Sequence, residues 1–134
     1  MIYGGAIQNA VSGFLLMRNG TAIVQPSGIS PDAKLPRAAV GLSADGNRLF
    51  LVVVNPGKNG DSDGGTTLRG LAGYLESLGA SDAVTLDGSG SAQLYFHDPH
   101  TGALIQSEMS DSVCNTVPVV PRCYRPIPIF LGIQ

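Results

Sequence analysis

The chain has few charged residues and no marked excess of either sign. It carries eight basic and ten acidic residues among 134, a formal net charge of −2, so it lacks the basic surface that strong binding to a nucleic-acid backbone requires. No apolar run approaches the roughly 18 to 20 residues that span a bilayer. The start, Met1 to Gly5, has neither the charged nor the apolar region of a signal peptide. These absences argue against nucleic-acid partners and membrane insertion and predict a soluble chain.

Cysteine and histidine are scarce as well. Cys114 and Cys123 show no Cys-x-x-Cys or Cys/His spacing, which makes zinc a poor prediction and a local disulfide between them the better one. His97 and His100 flank a turn and have no third ligand within range, so they are expected to be solvated loop residues. An internal repeat of 20 to 50 residues is also absent, which argues against a solenoid.

The composition is that of one packed domain. Hydrophobic residues make up 43% and charged residues only 13% of the chain, whereas disordered chains are charged and poor in apolar residues. A chain of this length can bury about 70% of its unfolded surface. Eighteen glycines and nine prolines imply many tight turns and argue against a helical bundle.

Several segments have the pattern of β-strands. Two short apolar runs flank Asn19-Gly20, a strong hairpin signal. The run Leu49 to Val54 is continuous and β-branched, as in a strand buried on both faces. Residues 98–102 predict a turn. Further strands are predicted at residues 37–42, 83–86, 92–96 and 127–133, the last at a sheet edge because prolines interrupt its donors.

One helix is predicted over about residues 67–78. Leucines recur there at helical spacing, Thr66 or Thr67 is placed as N-cap, and Gly79 is placed to end the helix. Strands on both sides of this helix predict an α+β fold with a mixed, mainly antiparallel β-sheet and the helix packed on one face.

The segment Leu86 to Ser91 is the sharpest candidate for a site. A carboxylate, Asp87, ends a predicted buried strand and is followed by glycines and serines, whose backbone N–H groups can face the same opening. The alternative is an ordinary turn in which Asp87 makes only a local Asx-type hydrogen bond.

A metal site is a weaker alternative in the polar loop before the helix. Asn59, Asp61 and Asp63 are spaced like the start of a calcium loop, but the twelfth position is Gly70 instead of a bidentate Glu. A strand also precedes the loop where calcium loops have a helix. We therefore expect no cofactor and retain calcium at these three residues as the alternative.

Five segments occur in the order and spacing of the phosphodiester glycosidase domain family, which the chain resembles over about residues 9 to 133. They are Arg37 to Gly41, Ser62 to Gly64 before the helix, Leu78 to Ala80, Leu86 to Ser91 and Arg125 to Ile127. The chain departs from the family at Ser89, where a glycine is usual, and at Gly70, where an acidic residue is usual. It is also short at its N-terminus, where only Tyr3 to Gly5 resembles the family's Asn-Gly-Gly-Phe-type segment.

The resemblance implies one phosphodiester-glycosidase-like domain over residues 1–134, lacking part of the family's N-terminal region. The implied activity is a hydrolase that cleaves the glycosidic bond of sugar-1-phosphodiesters such as N-acetylglucosamine-1-phosphodiesters. The expected catalytic residues are Asp87, as the carboxylate that activates water or stabilises an oxocarbenium ion, and Arg37 and Arg125, as phosphate clamps. The expected substrate-binding residues are Ser62, Thr66, Gly88, Ser89, Gly90 and Ser91.

Other interpretations stay open from the sequence. Structural ion pairs are the alternative role of the two arginines. The short N-terminus favours a non-catalytic carbohydrate or sugar-nucleotide binding module, and a structural domain of a surface or virion assembly is a third hypothesis. An oligomer or a partner chain could supply the missing N-terminal part. A disulfide, together with the family's settings, favours an extracytoplasmic location.

Overall fold

The structure is a computed structural model that describes residues 12–23, 30–55, 64–107, 111–114, 120–123 and 131. Within these ranges the strands and the helix follow one another along the chain as β1 (Phe14–Arg18), β2 (Thr21–Ala22), β3 (Arg37–Ser43), β4 (Leu49–Val54), α1 (Leu68–Ser77), β5 (Ala80–Thr85), β6 (Tyr95–His97), β7 (Leu104–Gln106), β8 (Asp111–Cys114) and β9 (Val120–Cys123).

Five of these strands form the main sheet. Its order is β2-β1-β5-β3-β4, and every pairing between these strands is antiparallel. β6 pairs with β7 and β8 with β9 in two separate two-stranded ladders. The fold is therefore α+β with a mainly antiparallel sheet, as the sequence predicted. No helix in the described part of the chain is long and apolar enough to cross a membrane.

The hairpin predicted at Asn19-Gly20 is confirmed. Both residues have positive φ, 50° and 73°, which is the backbone of a type I′ turn that joins two antiparallel strands. Beyond the turn, Met17 pairs with Ala22. On its other side β1 pairs with β5, and the register shifts between Leu15 and Met17. This bulge leaves two adjacent side chains, Leu16 and Met17, both buried.

Helix α1 is confirmed, and the structure selects Thr67 as its N-cap. The Gly70 N–H donates to the Thr67 hydroxyl oxygen at 3.0 Å. The helix ends at Ser77 with Leu78 as its C-cap, and Gly79 follows with φ of 95°, a conformation that glycine adopts without steric cost.

Removal of this cap gives a first testable prediction. Thr67→Ala is expected to lower the free energy of unfolding by about 1 kcal/mol, because the Gly70 N–H loses its acceptor. Thr67→Ser keeps a hydroxyl oxygen and should retain most of that stability. Urea unfolding followed by circular dichroism measures both variants. Equal losses in the two would show that the methyl group of Thr67, and not the cap bond, stabilises the helix start.

The core lies where α1 packs against the sheet. A side chain at Gly41 in β3 would place its Cβ 3.0 Å from Leu75 Cδ2 and 3.1 Å from Ala80 Cβ. The small residue at this position therefore lets the helix approach the sheet closely. The buried cluster comprises Leu16, Met17, Ala39, Val52, Leu68, Leu71, Ala72, Leu75, Ala80 and Ala83.

Burial corrects one strand prediction. β4 was expected to be buried on both faces, but it is the last strand in the sheet order, with Leu49 and Leu51 exposed and Val52 buried. The strand that is buried almost throughout is β3, where only Leu42 is exposed. β3 is a central strand, paired with β4 on one side and with β5 on the other.

The region after β5 also differs from the predicted strands. The strand predicted at residues 92–96 is shorter and later, at Tyr95–His97, and it forms a hairpin with β7 across the predicted turn at residues 98–102. In that turn the His100 N–H donates to Asp98 Oδ1 at 2.8 Å. β7, β8 and β9 were not predicted. The strand predicted at residues 127–133 lies outside the described residues, apart from position 131.

Candidate functional site

Asp87 and Arg37 line the same cleft. The cleft has a volume of about 520 Å³ and is bordered by residues from the start of β1, the loop before β3, and the end of β5 with its following turn. The lining residues are Gly13, Phe14, Ser30, Leu35, Arg37, Thr85, Leu86, Asp87, Gly88 and Ser89. Two of the three predicted catalytic residues are thus brought together by the fold.

The end of β5 positions Asp87. The Leu86 N–H donates to the Ala38 carbonyl at 2.8 Å, which extends the β3 pairing one residue past β5. Asp87 comes next and is exposed, and its Oδ1 accepts the Gly88 N–H at 2.9 Å. This bond is to the next residue, whereas an Asx-type bond reaches the N–H two residues on, and the same carboxylate also lines the cleft.

Arg37 has a different environment from that of a surface clamp. It is 7% exposed at the start of β3, and its guanidinium donates to backbone carbonyls. Nε contacts the Thr66 oxygen at 3.3 Å, and Nη2 contacts the Ser30 and Ala33 oxygens at 2.8 and 3.0 Å. Burial lowers the pKa of this guanidinium below its ordinary value.

The backbone N–H groups of the Gly88 to Ser91 segment are largely engaged within the protein. The Gly88 N–H binds the Asp87 carboxylate, the Ser89 N–H donates to the Pro36 carbonyl at 2.8 Å, and the Ser91 N–H donates to the Gly88 carbonyl at 3.1 Å. A phosphate or sugar oxygen would compete with these bonds. These three amides, which were expected to face the opening as donors for a substrate, are thus already hydrogen-bonded within the protein.

The backbone at Ser89 explains why a glycine suits this position. Ser89 has φ of 54°, the left-handed region that costs a residue with a side chain about 1 to 2 kcal/mol. The neighbouring Gly88 is also constrained, since a Cβ there would lie 2.9 Å from the Pro36 oxygen. The turn is therefore held in a shape that its own serine does not favour.

Ser89→Gly is expected to stabilise the protein by about 0.5 to 1 kcal/mol. The relief of the left-handed strain outweighs the larger entropy that glycine adds to the unfolded chain. Thermal unfolding measures the change, and Ser91→Gly, in the same turn but without positive φ, is the matched control. Stabilisation by Ser91→Gly alone would contradict this account of the strain.

Thr66 borders a second cleft, of about 430 Å³, with residues of β4 and α1. Its backbone pairs with Leu35, which lines the first cleft: the Thr66 N–H donates to the Leu35 oxygen at 2.9 Å, and the Leu35 N–H donates back at 3.2 Å. The Leu35–Thr66 bridge therefore links a lining residue of one cleft to a lining residue of the other. Asn55, in the second cleft, has a buried Oδ1 that has no hydrogen-bond partner among the described residues.

Five of the predicted site residues belong to segments that the structure does not describe. Ser62 and Arg125 lie outside the described residues, as do the proposed calcium ligands Asn59, Asp61 and Asp63. Among the described residues no group of three His, Cys, Asp or Glu side chains could hold a metal ion. The roles of these five residues stay predictions.

The register of β8 and β9 bears on the predicted disulfide. Cys114 pairs with Val120, and Cys123 pairs with Asp111, so the two cysteines stand three positions apart along the ladder. At about 3.4 Å per residue their Cα atoms are separated by roughly 10 Å, whereas bridged cysteines have Cα atoms about 4.4 to 6.8 Å apart. The disulfide requires a different register and stays a prediction.

Thr85, which lines the cleft, and Pro36, which lies next to the lining residues Leu35 and Arg37, were not predicted from the sequence. Thr85 is buried at the end of β5, and its hydroxyl donates to the Ala38 carbonyl at 3.1 Å. Pro36 supplies the carbonyl that holds the Ser89 N–H. A polar residue at the end of an apolar strand, directly before the Leu86-Asp87 pair, was the available signal for Thr85. A backbone carbonyl such as that of Pro36 leaves no signal in the sequence.

The cleft and the sheet define an α+β domain with a carboxylate and a buried arginine at one opening. A family model of phosphodiester glycosidase matches residues 4–133, and the chain belongs to this family. None of the curated proteins compared with the chain matches it.

Two solved structures are similar to the chain. The zebrafish N-acetylglucosamine-1-phosphodiester alpha-N-acetylglucosaminidase catalytic domain, auto-inhibited by its pro-peptide, is 29% identical with a TM-score of 0.65, covering 87% of this chain and 39% of that one. A hypothetical protein from Synechocystis is 27% identical with a TM-score of 0.51, covering 70% of this chain and 19% of that one. The chain therefore spans less than half the length of these relatives.

Proposed function

We propose that the chain is a hydrolase that cleaves the glycosidic bond of sugar-1-phosphodiesters, with substrates like N-acetylglucosamine-1-phosphodiesters. The observation that carries this proposal is that Asp87, in a chain belonging to the phosphodiester glycosidase family, stands exposed at a cleft of about 520 Å³. The likeness to the zebrafish enzyme supports the choice of substrate class.

The reaction breaks the bond between the anomeric carbon and the phosphate oxygen. Water supplies the new oxygen on the sugar carbon, and the phosphate leaves as a phosphomonoester. Because that leaving group is already stable as an anion, the site needs little help from a general acid. It needs negative charge near the sugar carbon, where an oxocarbenium-like transition state develops positive charge.

Asp87 supplies that negative charge in this proposal. Its backbone is held by the β5 pairing to β3, and its Oδ1 is oriented by the Gly88 N–H. A fixed carboxylate can accept a proton from the attacking water or stabilise the positive sugar carbon directly. Binding of the phosphate is assigned to Arg125, one of the two arginines that the family resemblance implies as phosphate clamps, and Ser62 is expected to hold a phosphate oxygen or a sugar hydroxyl.

Hydrolysis in ¹⁸O-labelled water tests both the activity and the bond that is cleaved. The probe is a synthetic N-acetylglucosamine-1-phosphodiester, and the products are analysed by ³¹P NMR and mass spectrometry. We expect release of the sugar with ¹⁸O at its anomeric carbon and of an unlabelled phosphomonoester. Label in the phosphate would mean cleavage of the P–O bond and would contradict the proposal. Saturable binding of the probe without turnover would support the binding-module alternative.

A further inference from the structure

Arg37 holds three backbone carbonyls from two separate stretches of the chain beside the cleft. Its Nη2 donates to the carbonyls of Ser30 and Ala33, which belong to the turn before β3. Its Nε donates to the carbonyl of Thr66, just before the N-cap of α1. Few side chains other than Arg have enough donors to hold three carbonyls at once. With Arg37 7% exposed, these three bonds are partly shielded from bulk water.

The hydrogen bonds that the Arg37 guanidinium already donates limit its ability to bind a phosphate through two bonds. A guanidinium makes a two-bond contact through either of two edges, Nε with Nη2 or Nη1 with Nη2. Both edges include Nη2, and the two hydrogens of Nη2 are already donated to Ser30 and Ala33. A bidentate phosphate contact would therefore break at least one bond to the backbone.

The bonds of Arg37 extend to the Asp87 turn through its neighbour in the chain. Pro36, directly before Arg37, accepts the Ser89 N–H at 2.8 Å. The turn packs tightly here, because a Cβ on Gly88 would lie 2.9 Å from the same Pro36 oxygen. Leu35, one residue earlier, is held to Thr66 by two backbone hydrogen bonds. The segment Leu35 to Arg37 is thus hydrogen-bonded to Thr66 on one side and to Ser89 on the other.

We infer that Arg37 is a positioning residue, which fixes the Leu35 to Arg37 segment and through Pro36 the turn that carries Asp87, and is not the phosphate clamp of the site. This inference rests on the proposed function for its catalytic consequence. Its structural part, the effect of the guanidinium on the Ser89 and Thr66 backbone, can be measured without any turnover.

Arg37→Lys tests the inference, and Arg48→Lys, an exposed arginine that does not line the cleft, is the matched control. Lys keeps the charge but cannot hold three carbonyls in the same geometry. We expect kcat on the N-acetylglucosamine-1-phosphodiester probe to fall about 10- to 100-fold, the scale of a small misplacement of a reacting group. KM and the affinity for inorganic phosphate should stay within about twofold.

Hydrogen exchange followed by NMR supplies the second readout. In Arg37→Lys the amides of Ser89 and Thr66 should exchange faster than in the wild type, while Arg48→Lys leaves them unchanged. A rise in KM and a loss of phosphate affinity, with exchange unaltered at both amides, would overturn the inference in favour of a clamp. If the wild type shows no turnover, the proposed function fails, and exchange at Ser89 and Thr66 alone decides whether Arg37 fixes the turn.

Discussion

Asp87→Asn is expected to reduce kcat/KM on a sugar-1-phosphodiester at least ~10²-fold, the scale of a general acid–base contribution, while the melting temperature changes little. The substitution keeps the shape of the side chain and the oxygen that accepts the Gly88 N–H. It removes the negative charge that the proposed reaction needs at the sugar carbon. Steady-state kinetics and thermal unfolding of the same preparation measure the two quantities.

Asp98→Asn is the matched control for this experiment. Asp98 lies in the turn between β6 and β7, accepts the His100 N–H at 2.8 Å, and does not line the cleft. The same chemical change there should leave turnover unaltered. A folded Asp87→Asn protein with wild-type turnover would show that Asp87 has no role in the mechanism.

Leu71→Ala should cost about 2 to 5 kcal/mol in the free energy of unfolding. Leu71 is 0% exposed at the centre of the buried face of α1, so its truncation leaves a cavity that the packed sheet cannot fill. Because a domain is stable by only about 5 to 15 kcal/mol, this loss is a large share of the total. Urea unfolding at constant pH measures it.

Leu104→Ala provides the comparison for the same truncation at the surface. Leu104 is 61% exposed in β7, and its removal should change the free energy of unfolding by no more than about 0.5 kcal/mol. Similar losses at both leucines would contradict the placement of the core between α1 and the main sheet.

The elements that could be predicted from the sequence are those fixed by local chemistry. Asn19-Gly20 adopts the positive φ values of its turn with little help from the rest of the fold, and the leucines of α1 fall on one face at helical spacing. β4 was misjudged because a continuous apolar run looks the same in a central and in an edge strand. The buried strand β3 instead carries small residues, such as Gly41, that make room for Leu75.

One part of the candidate site could be predicted from the sequence and another part could not. Asp87 could be predicted because a carboxylate after an apolar strand is visible in the sequence, and the fold does place it at a cleft with Arg37. The environment of Arg37 could not be predicted, since its observed partners are backbone carbonyls of Ser30, Ala33 and Thr66. Every residue has a carbonyl, so only the fold decides which ones an arginine meets.

The position of β5 in the sheet has a consequence for the order in which the chain can fold. β5 lies between β1 and β3, and both of these partner strands come earlier in the sequence. β1 therefore cannot complete its pairing, such as that of Phe14 with Thr85, until β5 has been synthesised. During synthesis the hairpins β1–β2 and β3–β4 can form on their own, but two-stranded hairpins are only marginally stable. The two hairpins are joined into one sheet only when β5 has been synthesised and pairs with β1 and β3, which requires closure of a long loop. Folding should therefore be slow and cooperative, and nascent chains that end before residue 80 should remain sensitive to proteases.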